Sequence, residues 1–174
     1  MIPPPLMPSS DQGITDDRYM LIPRTLIFAT CEDEVLLFRG APDKRLWANR
    51  YNGIGGHVEL GEDVLSAARR EFQEETNLEP PDLWLCGAIT INTEKHIGVG
   101  IYVFRGEMNK KKTPSQTSEG TPTWIAEEEI ESFPLVEDLY TILPRVLAMR
   151  KGDPPFSAHY SYDKADQLVI RFGN

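Results

Sequence analysis

Residues 71–76 read Glu-Phe-Gln-Glu-Glu-Thr, so Glu71, Glu74 and Glu75 stand at i, i+3 and i+4. Placed on a helix at about 100° per residue with Glu71 at zero, Ser66, Arg69 and Gln73 form a polar face on the opposite side. Val64, Ala67 and Ala68 fall within about 60° of Glu71, and Leu65 and Phe72 widen that apolar sector. The three acids therefore continue the inward-looking stripe, while the solvent face is taken by other residues. Like charges at these spacings repel, and partial burial raises the cost. A cation among them removes both penalties. Oxygen ligands at this density suit Mg²⁺, with Mn²⁺ as a substitute, better than zinc. His57, His96 and His159 have no ligand spacing.

The helix has local signals at both ends, with Asp63 as N-cap and Asn77 as a left-handed residue past its C-terminus. Just upstream, Tyr51-Asn52-Gly53-Ile54-Gly55-Gly56 carries three glycines, which allow backbone to approach a ligand closely. The polar loop 40–50 supplies Lys44, Arg45, Leu46, Trp47 and Arg50. Lys44, Arg45 and Arg50 are candidate phosphate contacts, and Trp47 or Leu46 could wall a base. Lys110, Lys111 and Lys112 read as a solvated loop.

The elements that must position these groups are mixed in type. Residues 24–30 and 34–39 form a hairpin about the turn 31–33, and a Gly-broken extended segment spans 51–59. Strands follow at 83–92, 98–105 and 122–126. A second helix covers 135–150, with a kink or restart at Pro144. A hairpin of 157–162 and 167–172 turns at 163–166. Strands outnumber helices, so the fold class is α/β, a mixed sheet flanked by helices. Residues 1–18, rich in Pro and Ser, form an arm, and 19–174 a single domain.

Of 174 residues, 18 are Lys or Arg and 27 Asp or Glu, giving a formal net charge of −9. That field repels a nucleic-acid polymer but admits a small anionic substrate where divalent cations neutralise the meeting point. Cys31 and Cys86 lie in apolar runs and read as buried reduced thiols. No signal peptide or membrane-length apolar stretch is evident, so the expectation is a cytoplasmic enzyme with no membrane partner. The oligomeric state is open, with a homodimer allowed.

Gly56, Glu62, Arg70, Glu71, Phe72, Glu74, Glu75 and Leu78 occupy defined positions of G-x5-E-x7-R-E-U-x-E-E-x-G-U, with U a bulky apolar residue. This stretch resembles the Nudix box, and Asn77 departs from its Gly while keeping the same backbone tolerance. The resemblance implies the Nudix α/β/α sandwich with a mixed β-sheet and hydrolysis of a diphosphate linkage by metal-activated water. It assigns Glu71, Glu74, Glu75 and the Gly56 carbonyl to Mg²⁺, with one glutamate available as base. Glu62 and Arg70 then orient the ligands, Arg70 by bidentate pairing.

A narrower resemblance is to MutT-type hydrolases of oxidised purine nucleoside triphosphates such as 8-oxo-dGTP. Residues 52–56, Ser118-Glu119-Gly120 with Trp124, 137–140 and the terminal 156–163 carry it. It implies that Glu119 joins the metal site and that Asn52 and Asp138 bind the base. A turn asparagine and a helix N-terminal acid are the plainer readings of those two. The expected products are a monophosphate and pyrophosphate. ADP-ribose or another nucleoside diphosphate derivative is the alternative substrate. A non-catalytic nucleotide-binding module is disfavoured by the intact glutamates, and an isoprenoid diphosphate isomerase by the lack of a suitably placed cysteine.

Overall fold

The computed structural model describes residues 12–15, 17–93 and 96–173. Most of the arm expected over 1–18 lies outside them. The elements in chain order are β1 (Met20–Cys31), β2 (Glu34–Gly40), β3 (Tyr51–Asn52), α1 (Val64–Thr76), β4 (Trp84–Ile91) and β5 (Ile97–Glu107). They continue with β6 (Gly120–Ala126), a 3₁₀ turn (Glu127–Ser132), α2 (Leu139–Ala148), β7 (Phe156–Tyr162) and β8 (Leu168–Phe172).

The strands form one sheet in the order β3-β2-β1-β5-β4-β7-β8, with β6 also paired to β2. β1 runs parallel to β5 and β4 parallel to β7, while the other pairings are antiparallel. The sheet is thus mixed, as the order of elements predicts. Successive strand side chains point to opposite faces, and each face carries one helix. Ile27, Ala29, Leu36, Phe38 and Ile54 pack with Ala68 and Phe72 of α1. Leu26, Phe28, Val35 and Leu37 pack on the other side with Leu139, Ile142, Leu143 and Val146 of α2.

β1 and β2 pair only near their turn, from Ala29↔Leu36 to Cys31↔Glu34. Toward their other ends they part, and residues 51–57 wedge between them. Phe38 pairs with Asn52, Ile27 with Ile54, and Arg24 with His57. The Gly-rich segment is therefore an inner rung of the sheet.

α2 begins later than the 135–150 periodicity predicts. Residues 134–136 are already engaged, since Tyr51 N–H donates to the Pro134 carbonyl at 2.9 Å and Val136 N–H to the Tyr51 carbonyl at 2.9 Å. The helix runs through Pro144 without a restart. Burial of Leu139, Ile142, Leu143 and Val146 offsets the one backbone bond that proline cannot make. The 3₁₀ turn has no periodic sequence signal and was not anticipated. Cys31 and Cys86 are both buried. No described helix is long and apolar enough to cross a membrane.

The C-terminus of α2 is capped from the sheet. Arg105 of β5, 8% exposed, donates from Nη1 to the carbonyls of Val146, Leu147 and Met149 at 3.1, 2.6 and 2.9 Å. Of these carbonyls only that of Val146 has a backbone partner among the described residues, accepting from Met149 N–H at 3.1 Å, and a buried cation suits the negative end of the helix dipole. Arg105→Met should cost about 3 kcal/mol of stability, read as a lower urea midpoint at unchanged slope. A loss of less than about 0.5 kcal/mol would contradict this capping role.

Candidate active site

α1 forms as its local sequence dictates. The Asp63 carboxylate accepts from the Leu65 and Ser66 N–H groups, and Asn77 closes the other end in the left-handed conformation, φ 57° and ψ 28°. Its acids are not equally inward, which corrects the three-carboxylate stripe. Ala67, Ala68, Phe72 and Thr76 are the buried residues, so the buried sector is centred between Glu75 and Phe72. Glu75 lies near that centre, Glu71 beside it and Glu74 on the rim. The Glu71 side chain is 15% exposed and that of Glu74 60%.

Arg70 binds these acids together. Its Nε and Nη2 donate to the two oxygens of Glu62 at 2.7 and 3.0 Å, the bidentate pairing expected from the sequence. Nη1 donates to Glu71 and Glu74 at 2.9 and 3.0 Å, and Nη2 also reaches the His57 carbonyl at 3.0 Å. The guanidinium is thereby held charged, chiefly by its bonds to Glu62. The same contact holds the Glu62 carboxyl below the usual range.

Glu75 accepts a hydrogen bond from Gly55 N–H at 2.9 Å. Burial, reinforced by the charges of Glu71 and Glu119, pushes its carboxyl up to about 8. Burial raises the Glu71 carboxyl as well, against the pull of Arg70. Both shifts describe anions short of positive charge. The Glu71 carboxylate fills the space that a side chain on Gly56 would need, with Oε1 2.4 Å from an ideal Cβ there. The Gly56 carbonyl accepts from Thr25 N–H at 2.9 Å and keeps a second lone pair.

Glu119 arrives from the start of β6. Its carbonyl accepts from Ala41 N–H at 2.9 Å, and its carboxylate pairs with Lys44 at 2.7 Å. The 40–50 loop is thus anchored on the residue that shares its site. Among the described residues, no three His, Cys, Asp or Glu side chains converge on one point. Arg70 and Lys44 hold the acids instead. The donor set still fits a hard divalent cation. It offers carboxylate and carbonyl oxygens only, the half-buried Glu75 lacks a full countercharge, and Lys44 is a cation already drawn to the same spot.

Two adjoining cavities, about 490 and 550 Å³, form one cleft. Lys44, Arg45, Gly56, Glu75 and Glu119 line the first. Asp138, Tyr160 and Tyr162 line the second. Leu46, Trp47, Arg50 and Asn52 line both, so the loop contributes both of its candidate wall residues. Glu62, Arg70, Glu71 and Glu74 do not line either cavity, and the Glu71 carboxylate adjoins the first through Gly56.

Three of the sequence candidates have engagements of their own. Arg50 donates to the Leu135 carbonyl at 3.1 Å, which ties it to the segment leading into α2. Asn52 lies in β3 rather than in a turn, and its Oδ1 accepts from Gly53 N–H at 2.8 Å, with its amide left for the cleft. Asp138 precedes α2 but makes no side-chain cap, and its carboxylate accepts from the Tyr160 hydroxyl at 3.2 Å. Burial raises that carboxyl and, with Asp138 beside it, the Tyr160 phenol too. The pairing of 134–136 with Tyr51 is what carries Asp138 to the same cleft as Asn52.

Sequence reasoning missed Arg24, Ile101 and Tyr160 at this cleft. Arg24 lies within a β-rich run and was counted as an ordinary strand residue. Lys111 pairs with Glu34, in keeping with a solvated loop.

A model of the NUDIX domain matches residues 20–146. The chain is 27% identical over 149 residues to an oxidized purine nucleoside triphosphate hydrolase of Mus musculus, covering 83% of this chain and 89% of that protein. It is 28% identical, with the same coverage, to the protein of the same name from Danio rerio. The fold is similar to the crystal structure of a MutT protein from Bacillus halodurans, with TM-score 0.72 and 21% identity, covering 87% of this chain and 97% of that one.

Proposed function

Since the chain belongs to the NUDIX family of pyrophosphohydrolases, we propose that its substrate is a purine nucleoside triphosphate, oxidised purines such as 8-oxo-dGTP foremost. The carrying observation is the continuous cleft, whose lobe of Glu75, Glu119, Lys44 and Arg45 opens into a lobe lined by Asn52, Trp47, Asp138 and Tyr160. A nucleotide with its phosphates in the first and its base in the second spans both.

In this reading Glu71, Glu74, Glu75, Glu119 and the Gly56 carbonyl would hold Mg²⁺, or Mn²⁺ in its place. The chemistry a divalent cation supplies there is neutralisation of charge on the diphosphate oxygens and acidification of water. Glu71 or Glu75 takes the proton of the attacking water. Arg70 fixes the two acids it touches, and Glu62 fixes Arg70. Lys44 and Arg45 meet the phosphate oxygens, Leu46 and Trp47 flank the base, and Asn52 and Asp138 bind its edge. The products are the monophosphate and pyrophosphate.

The test is a panel of dGTP, 8-oxo-dGTP, ATP, 2-oxo-dATP, ADP-ribose and a dinucleoside tetraphosphate with Mg²⁺, with products identified. An oxidised purine should exceed its parent in kcat/KM by about tenfold or more. Asp138→Asn should narrow that ratio while leaving the phosphate products unchanged. Equal, slow turnover of the whole panel would overturn the purine reading.

A further inference from the structure

We propose that Arg24 binds the substrate phosphate nearest the nucleoside, a contact outside the acidic helix and its loop. The inference rests on the nucleotide reading of the cleft.

Arg24 lies on β1, opposite Ile101 of β5 and bridged to His57. It occupies the row of Leu26 and Phe28, both in the apolar cluster on the α2 side of the sheet. Packing alone would favour an aliphatic residue there. Arg24 is half-buried, and its inaccessible Nε has no hydrogen-bond partner among the described residues. An unpaired donor in such a place is costly, and more so when charged.

The other cations at the cleft are accounted for. Lys44 pairs with Glu119, Arg50 donates to the Leu135 carbonyl, and Arg45 is exposed to water. Among the described residues, Arg24 alone combines a buried unmet donor with a position lining both cavities. It stands at the waist, between the lobe of Glu75 and Glu119 and the lobe of Asp138 and Tyr160. In a nucleotide spanning the cleft, the group at that point is the phosphate next to the sugar. A planar guanidinium matches two phosphate oxygens, and the phosphate returns the full countercharge that the folded chain withholds.

The test separates the phosphate from the base. Wild type, Arg24→Gln, Arg24→Lys and Arg24→Leu are titrated calorimetrically, in EDTA, with 8-oxo-dGMP and with 8-oxo-2′-deoxyguanosine, and their thermal unfolding is recorded. Arg24→Gln should lose about tenfold or more in affinity for the monophosphate and less than about twofold for the nucleoside. Arg24→Lys should recover part of the loss. Arg24→Leu should melt no lower than wild type, because it removes an unmet buried donor, whereas a merely structural arginine would leave a less stable protein. Unchanged monophosphate affinity, or equal loss for both ligands, would overturn the proposal. Should wild type bind neither oxidised compound, the purine reading fails by itself, and AMP against adenosine decides Arg24 by the same criteria. A wild type with no preference for the monophosphate in either pair also overturns it.

Discussion

Glu75→Gln should lower kcat on the order of a thousandfold while leaving the protein at least as stable as wild type in the absence of metal. Two features of this carboxylate produce the opposite signs. It sits near the centre of the buried sector of α1 and lines the cavity it shares with Glu119, where the proposed metal binding and proton transfer both need an anionic oxygen. It is also short of compensation, with burial and the charges of Glu71 and Glu119 opposing its ionisation and one N–H, that of Gly55, supporting it. Glutamine keeps the volume and an acceptor for Gly55 N–H and removes the charge. Chelated wild type and variant are compared by thermal unfolding, and Mg²⁺ is then added. Wild type should gain melting temperature with Mg²⁺, since an ion that binds only the folded state stabilises it, and the variant should gain much less. Turnover within about threefold of wild type, together with an unchanged Mg²⁺ response, would remove Glu75 from the metal site.

The parts of this site that local sequence encodes were readable, and the parts that assembly encodes were not. α1, its Asp63 cap and its Asn77 terminus follow from signals within residues 63–77, and they appear as read. The orientation of Glu74 was misjudged because a helical projection centred on Glu71 has no knowledge of what the helix packs against. Ala68 and Phe72 meet the sheet at Ile27, Ile54 and Phe104, and that contact turns the buried sector away from Glu74. Strand partners were equally out of reach, because the eleven-residue parallel register of β1 with β5 joins segments far apart in the chain. The same distance hid Arg24 and Arg105. Each looks like an ordinary charged residue in a strand, and only the folded sheet turns one toward the cleft and the other under the end of α2. Asp138 lay between two readings for a related reason. Its place near the start of the expected helix suggests an N-terminal acid, and only the arrival of β7 with Tyr160 gives its carboxylate another partner.

The neighbouring glycines Gly55 and Gly56 should fail in different ways, and the contrast tests how the inner rung of the sheet builds the site. Gly55 has φ +146°, and an ideal Cβ there would lie 2.2 Å from the Thr25 carbonyl oxygen. Both the backbone conformation and the neighbouring strand exclude a side chain, and neither can move without unzipping β1 from residues 54–57. Gly55→Ala should therefore cost about 3 kcal/mol or more, and much of the protein should be recovered unfolded. At Gly56 the obstruction is the Glu71 carboxylate, with the oxygens 2.4 and 2.7 Å from the ideal Cβ. A side-chain end can swing aside, although it must then break its 2.9 Å contact with Arg70. Thr25 N–H can keep its bond to the Gly56 carbonyl, so the sheet survives. Gly56→Ala should cost only about 1 kcal/mol yet lower kcat roughly a hundredfold, because Glu71 leaves the position from which it serves the site. Urea unfolding and steady-state turnover of the two variants check both halves. A Gly55→Ala protein of wild-type stability would contradict the wedge of residues 51–57 between β1 and β2. Wild-type turnover in Gly56→Ala would show that the packing of Glu71 against this glycine has no part in catalysis.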